Sequence, residues 1–217
     1  MYQTTHLNSK KMIRNRHEAA IMLSHELQKY KGQDGVVLAI PRGGVPIGAI
    51  IAKDLEMPLE LALIKKIGHP ANPEYAIGAV SMHSVVLNKS VKVPEDYVNR
   101  EISKIQEELH RRYKLFMGEK PPLNLKDKLV IIVDDGIATG QTLMATVELV
   151  KEQQPRKTVI AVPVAPPQAI DKFEPLVDEL ICLMAPPGFF AVGQFYREFL
   201  QVSDEEVIEL MQNQVHH

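Results

Sequence analysis

The stretch Leu129 to Thr142, LVIIVDDGIATGQT, constrains this chain more than any other. Five apolar, mostly β-branched residues read as a strand buried on both faces, the kind that sits inside a parallel sheet. Two aspartates follow directly, then a run of small residues, then a helical pattern. Strand, tight loop and helix N-terminus in that order bring acidic side chains and an anion cradle to one end of one strand. The carboxylates of Asp134 and Asp135 suit hydroxyls or a metal ion. The backbone N–H groups from Gly136 to Thr142 suit a phosphate, which the partial positive charge of the helix start favours.

The rest of the chain alternates strand and helix patterns. A helical stripe runs through Arg14–Lys31 on Ala19, Ala20, Leu23, Leu27 and Tyr30. Val36–Ile40 reads as a strand, Val45–Leu55 as a helix and Leu59–Ile64 as a second strand. Lys65–Tyr75, with its prolines, glycine and asparagine, reads as a loop. Ile77–Met82 and Val85–Leu87 read as a hairpin turning at His83-Ser84. Pro94–Met117 is the clearest helix, with Val98, Ile102, Ile105, Leu109, Tyr113 and Phe116 on one face. After Leu129–Val133 come a helix at Thr142–Glu152, a strand at Thr158–Val162 and a proline-rich turn at Pro163–Pro167. A helix to Phe173, a strand at Glu179–Leu183 and a helix from Ser203 complete the pattern. Such alternation predicts an α/β fold, a parallel sheet flanked by helices on both faces, formed by residues 1–217 as one domain. Ligands of such sheets bind beyond the carboxyl ends of the strands. The junctions at Pro41, Lys65, Asp134, Pro163 and Ala185 therefore share one rim.

Composition narrows the partners. The formal net charge is -2 with no basic run, which argues against nucleic acid as a ligand. No apolar run is long enough for a membrane span, and the first residues carry no apolar signal core. The single cysteine, Cys182, lies in an apolar run and reads as a buried core residue; its lack of an internal partner suits a reducing cytoplasm. No ligand spacing for zinc, no Ser–His–Asp set and no phosphate-loop lysine motif is present.

Three segments carry the candidate chemistry. Neighbouring residues on a strand point to opposite faces, so Asp134 and Asp135 are not a proton-sharing pair, yet at a strand end both reach the rim. Gly136, Ile137, Ala138, Thr139, Gly140, Gln141 and Thr142 form the cradle, with threonine hydroxyls beside the amides. Pro41-Arg42-Gly43-Gly44 is the second segment: two glycines admit a ligand close to the backbone, and Arg42 offers a planar fork for phosphate oxygens. Lys65 and Lys66 come third, cations on the same rim, followed by the segment that reads as a lid.

The string from Asp134 to Thr142 resembles the signature loop of type I phosphoribosyltransferases, and Pro41–Gly44 resembles that family's pyrophosphate loop. Asn72–Val80, Pro121–Leu125, Val162–Pro167 and Phe195–Val207 extend the likeness to predicted members of unassigned substrate. The resemblance implies binding of 5-phosphoribosyl 1-pyrophosphate with Mg2+. Asp134 and Asp135 would hold the ribose and the metal, Ala138 to Thr142 the 5-phosphate, and Arg42, Gly43 and Gly44 the pyrophosphate. The implied reaction transfers phosphoribosyl to a small nitrogenous acceptor, with Arg42, Lys65 and Lys66 as catalytic candidates. It also implies a small hood over the rim and a homodimer as an expected assembly. Two departures matter. Gly136 replaces a bulkier apolar residue, which predicts a looser loop. Ala138 replaces the aspartate of oxopurine enzymes, which argues against hypoxanthine or guanine and leaves adenine-like, pyrimidine-like or other acceptors open. The hood is predicted from the N-terminal helix, with Arg14 and Arg16, and from Ala185–Phe195. Two rivals stand beside transfer: a non-catalytic regulator that binds the same ligand, and a hydrolase-like or phosphorylase-like use of the cradle.

Overall fold

Period-two alternation along the strands decides the architecture. In the computed structural model, which describes residues 3–4 and 12–214, six parallel strands form one sheet in the order β1-β9-β8-β7-β2-β3. The elements in chain order are β1 (Gln3–Thr4), α1 (Arg16–Leu27), β2 (Gly35–Ala39), α2 (Gly44–Leu55) and β3 (Leu59–Leu61). Next come β4 (Lys65–His69), β5 (Asn72–Val80), β6 (Val85–Leu87), α3 (Glu95–Met117) and β7 (Leu129–Val133). The chain finishes with α4 (Gln141–Glu152), β8 (Lys157–Val164), α5 (Pro167–Phe173), β9 (Glu179–Met184) and α6 (Asp204–Asn213).

Alternate residues of the central strands enter different cores. Val37, Ala39, Ile131, Val133 and Ala161 pack with α1, α2, α3 and α6. Val36, Leu38, Val130, Ile132 and Ile160 pack with α4 and α5 on the other face. Near-continuous apolar strands are what a sheet covered on both sides requires. Cys182 belongs to the second core and is 3% exposed, in keeping with its reading as a packing residue.

The helix boundaries follow local chemistry. Asn15 caps α1 by accepting the Glu18 N–H at 3.2 Å, so the helix begins two residues later than the stripe predicts and closes with a 3-10 turn at Gln28–Tyr30. Ser203 caps α6 through the Glu206 N–H. On α3, Glu108 pairs with Lys65 at 2.6 Å, while Arg112 lies over the Phe116 ring.

Three predictions need correction. Lys65–Tyr75 is not a loop: β4 and the first four residues of β5 occupy it, and the two strands pair antiparallel, with β6 as third strand. The register shifts around Gly68, where a side chain would collide with the Pro73 carbonyl, so the glycine and proline mark a bulge rather than a break. Ile67 and Ile77 anchor the hairpin in the main core. The turn at His83-Ser84 forms as expected, with the Ser81 N–H donating to the Ser84 carbonyl. The strand predicted to Ile64 ends at Leu61. The strand predicted to Val162 runs to Val164 through Pro163; β7's ladder stops at Ala161, so the missing N–H removes no rung on that side.

The edge strand β3 is sealed by one buried carboxylate. Glu60, 4% exposed, accepts from the N–H of Leu61 at 2.8 Å, the N–H of Leu123 at 2.9 Å and the Tyr113 hydroxyl at 3.0 Å. It thereby ties the segment before β7 and helix α3 to the sheet. Burial raises its pKa, against the opposing effect of these donors. Glu60→Ala leaves three donors unpaired, two of them buried, and is expected to lower stability by about 3 kcal/mol in urea unfolding. A loss under about 1 kcal/mol would show that the seal lies elsewhere. Because folding raises this pKa, the associated stability is complete below the unfolded value and is lost as the pH rises through the folded one. Unfolding free energy of the parent is therefore expected to fall relative to Glu60→Gln as the pH climbs above 4.5.

Candidate active site

β2 and β7 are neighbours in register, Ala39 opposite Val133, so the two glycine-bearing loops leave the sheet side by side. The Ile40 N–H donates to the Val133 carbonyl at 2.9 Å, and the Gly44 N–H to the Ile40 carbonyl at 3.0 Å. The Pro41–Arg42 peptide bond is cis. The loops then interleave. A Cβ on Gly44 would lie 2.5 Å from the Val133 carbonyl oxygen and 3.0 Å from the Asp134 Cα. On Gly43 it would overlap the Asp135 carboxylate. No other residue type fits either position without displacing the acidic loop.

The two aspartates differ sharply in their surroundings. Asp134 Oδ1 accepts the Asp135 N–H at 2.8 Å, and no side-chain cation touches it among the described residues. Burial, reinforced by the charge of Asp135, holds its pKa well above the usual carboxylate range. Asp135 is also raised by burial, but Arg16 opposes the shift. The Arg16 Nε and Nη2 both donate to Asp135 Oδ2, at 3.0 and 2.7 Å. Each acid keeps one carboxylate oxygen without a protein donor among the described residues.

The small-residue loop leads into α4 through Gly140 in the left-handed region (φ 70°), where a side chain would strike the Phe173 ring at 2.7 Å. The Ile137 N–H is taken by the Val164 carbonyl at 2.9 Å. Among the described residues, the N–H groups of Ala138, Thr139, Gly140, Gln141 and Thr142 donate to no protein acceptor. Thr139 is exposed. Five successive free amides at the start of a 12-residue helix form an anion cradle that the protein itself leaves open.

Gly136 does not loosen this loop, contrary to expectation. Its φ is +156°, and a side chain there would meet Val192 at 2.7 Å and Val164 at 2.9 Å. The space of the larger residue is filled from the segment after β9, which packs the loop down.

The cations fall in different places. Arg42 Nη1 approaches Asp204 at the start of α6 at 3.4 Å, a long, half-exposed contact. Lys65 and Lys66 point to opposite sides of β4: Lys65 pairs with Glu108 on α3, and Lys66 donates to the side-chain carbonyl of Gln141 at the cradle. Lys66 is thus the lysine brought to the loop. The exposed pair Arg111–Glu107, at 4.0 Å, stands clear of these contacts on α3.

The chain beside Asp135 is built from the start of α1 and from Phe195–Leu200, which lies almost wholly beyond the Ala185–Phe195 segment expected to form the hood. The Ile13 N–H donates to the Phe195 carbonyl, and the Arg197 and Glu198 N–H groups return to the Ile13 and Arg14 carbonyls, all at 2.9 Å. Tyr196 donates from its hydroxyl to the Asp135 carbonyl at 2.8 Å, and Phe199 stacks on Tyr196 and lies under Arg16. Neither Tyr196 nor Phe199 is singled out by sequence reasoning. Partners 61 residues apart leave no local pattern to find.

Among the described residues, no cluster of three or more His, Cys, Asp or Glu side chains forms a metal cage, and no helix is long and apolar enough to cross a membrane. Asp134 and Asp135 nevertheless match the way Mg2+ binds, through one or two carboxylates plus ligand phosphates. A cavity of about 50 Å³ beside Glu60 is too small for a sugar phosphate and is lined by none of these residues. An open cleft of about 650 Å³ lies between the hairpin and α4, with Lys66 and Gln141 on its wall.

Comparison with known proteins agrees with this geometry. Residues 7–187 match the family model described as phosphoribosyl transferase domain. TT1426 of Thermus thermophilus, known from a crystal structure, superposes with a TM-score of 0.82 at 34% identity, over 93% of this chain and 98% of that one. Two strains of Mycobacterium tuberculosis carry relatives provisionally named phosphoribosyl transferase, 38% identical over 93% of this chain. This chain spans 46% of the length of each, so those relatives contain about as much sequence again. With a sheet, rim and pair of loops of this kind, and a family match across most of its length, the chain belongs to the phosphoribosyl transferase domain family.

Proposed function

We propose that this chain binds 5-phosphoribosyl 1-pyrophosphate at the rim between β2 and β7 and transfers its phosphoribosyl group to a small nitrogenous acceptor, releasing pyrophosphate. The observation that carries this reading is the juxtaposition of five unpaired amides with two carboxylates that each keep a free oxygen. The amides of Ala138 to Thr142, with the Thr139 hydroxyl, take the 5-phosphate. Asp134 and Asp135 take the ribose hydroxyls. Arg42 and the backbone at Gly43 and Gly44 face the pyrophosphate from the opposite loop, and Lys66 approaches from the hairpin.

Bond breaking at C1 of the sugar leaves positive charge on the ribose ring and negative charge on the departing pyrophosphate. The chain's contribution is placement and charge complementarity: acids beside the ribose, cations and amides beside the phosphates. Arg42 is suited to the second task because its contact with Asp204 is long and half-exposed, so a phosphate displaces it at little cost. Lys65, held by Glu108, would have to leave that pair to take part. Mg2+, when bound with the diphosphate, supplies further neutralisation of the leaving group. Ala138 offers no side chain to handle a proton on the acceptor, which favours acceptors other than oxopurines.

Replacing both acids, Asp134→Asn with Asp135→Asn, is expected to abolish Mg2+-dependent binding of phosphoribosyl pyrophosphate in calorimetry while the circular dichroism spectrum stays unchanged. An unaltered affinity would place the ribose elsewhere. Thr139→Val is expected to weaken ribose 5-phosphate binding about tenfold, the loss typical of one hydrogen bond to a charged group. Equal affinities in variant and parent would remove Thr139 from the cradle. Turnover itself is read by pyrophosphate release in a screen of nitrogenous acceptors; tight binding with no release across the screen would favour a sensor over a transferase.

A further inference from the structure

Arg16 is the only cation in contact with either aspartate among the described residues, and it comes from the first residue of α1, 119 positions upstream. The contact is built rather than incidental. Side-chain exposure is 13% for Arg16 and 15% for Asp135, so this is a largely desolvated pair. The guanidinium is fixed on three sides. Nε and Nη2 converge on Asp135 Oδ2, Nη1 donates to the Leu200 carbonyl at 2.7 Å, and the group lies 4.1 Å from the centre of the Phe199 ring. Asp135 is fixed in turn. Its carbonyl accepts from Tyr196, and its Oδ2 fills the space that Gly43 leaves. Oδ2 is therefore enclosed by Arg16 and the Gly43 backbone, and Oδ1 is the oxygen left for a ligand.

We infer that Arg16 is a positioning residue: it holds Asp135 so that Oδ1 alone meets a ribose hydroxyl, and it makes hydroxyl recognition depend on the segment Tyr196–Leu200. This rests on the proposed reading of the rim as a phosphoribosyl site. Arg16 needs no contact with the sugar itself. A carboxylate free to rotate would divide its time between orientations, whereas one locked on Oδ2 presents a single acceptor in a defined direction.

The test compares ribose 5-phosphate with its 2,3-dideoxy analogue by calorimetry on the full chain. The parent is expected to prefer ribose 5-phosphate. Arg16→Gln is expected to reduce that preference about tenfold while affinity for the dideoxy analogue stays within about twofold, because the cradle is untouched. In an Asp135→Asn background, Arg16→Gln is expected to change nothing further. Arg16→Lys keeps the charge without the two-donor fork and is expected to give an intermediate preference, so a poorly folded glutamine variant does not end the test. Equal weakening of both sugars, or an undiminished preference in both Arg16 variants, would overturn the positioning role and leave the site standing. Failure of the parent to bind either sugar would instead remove the site, and this inference with it.

Discussion

Everything at the rim depends on two glycines being close enough to two aspartates. Gly43 and Gly44 let the loop after β2 lie directly against the loop after β7, at distances where a single Cβ would collide with Asp135 or with the Val133 carbonyl. The parallel register that sets Ala39 opposite Val133 makes this contact possible, and the buried cores on both faces hold that register. A slip of one residue would exchange the two core faces of the strand and swap the directions of the two acids. Site geometry and sheet packing are therefore one constraint, imposed by the same backbone.

The sequence makes one half of this visible and hides the other. Strands and helices with strong periodicity are readable because each obeys a local rule: β7 is uniformly apolar, α3 keeps a stripe, and Ser203 caps α6. The cradle is legible for a similar reason, since strand, acids, small residues and helix follow one another without interruption. Features that rest on distant partners are not. The β4–β5 hairpin carries breaker residues at a bulge, and only its anchoring through Ile67 and Ile77 shows that they do not end the strands. Gly136 reads as a loosened loop until Val192, from the far end of the chain, is seen in the space it leaves. Arg16 falls among the hood residues in the sequence, but nothing local marks it as the partner of Asp135.

The electrostatics separate residues that look equivalent in the sequence. Lys65 and Lys66 are adjacent, yet strand alternation sends one to an ion pair with α3 and the other to the cradle. Asp134 and Asp135 are adjacent too, and among the described residues only Asp135 has a guanidinium against it. Burial raises the pKa of both acids, so an ionised pair in this crowded backbone calls for compensating positive charge. Arg16 supplies it at Asp135. At Asp134 the described residues supply a single backbone N–H.

That imbalance bears on how a site of this kind avoids closing on itself. A second arginine on Asp134 would satisfy the buried charge and occupy the remaining acidic surface, and a desolvated ion pair is difficult to break once formed. Leaving Asp134 under-compensated keeps part of the rim's electrostatic demand unmet by the protein. The five amides across the loop are under-compensated in the opposite sense, as donors without acceptors. A ligand carrying both hydroxyl donors and a phosphate answers the two deficits together, and one carrying either alone leaves the other standing. Complementarity of this type selects for the combination rather than for either group, because a polar group that a bound ligand shields from water and leaves unpaired weighs against every partial match.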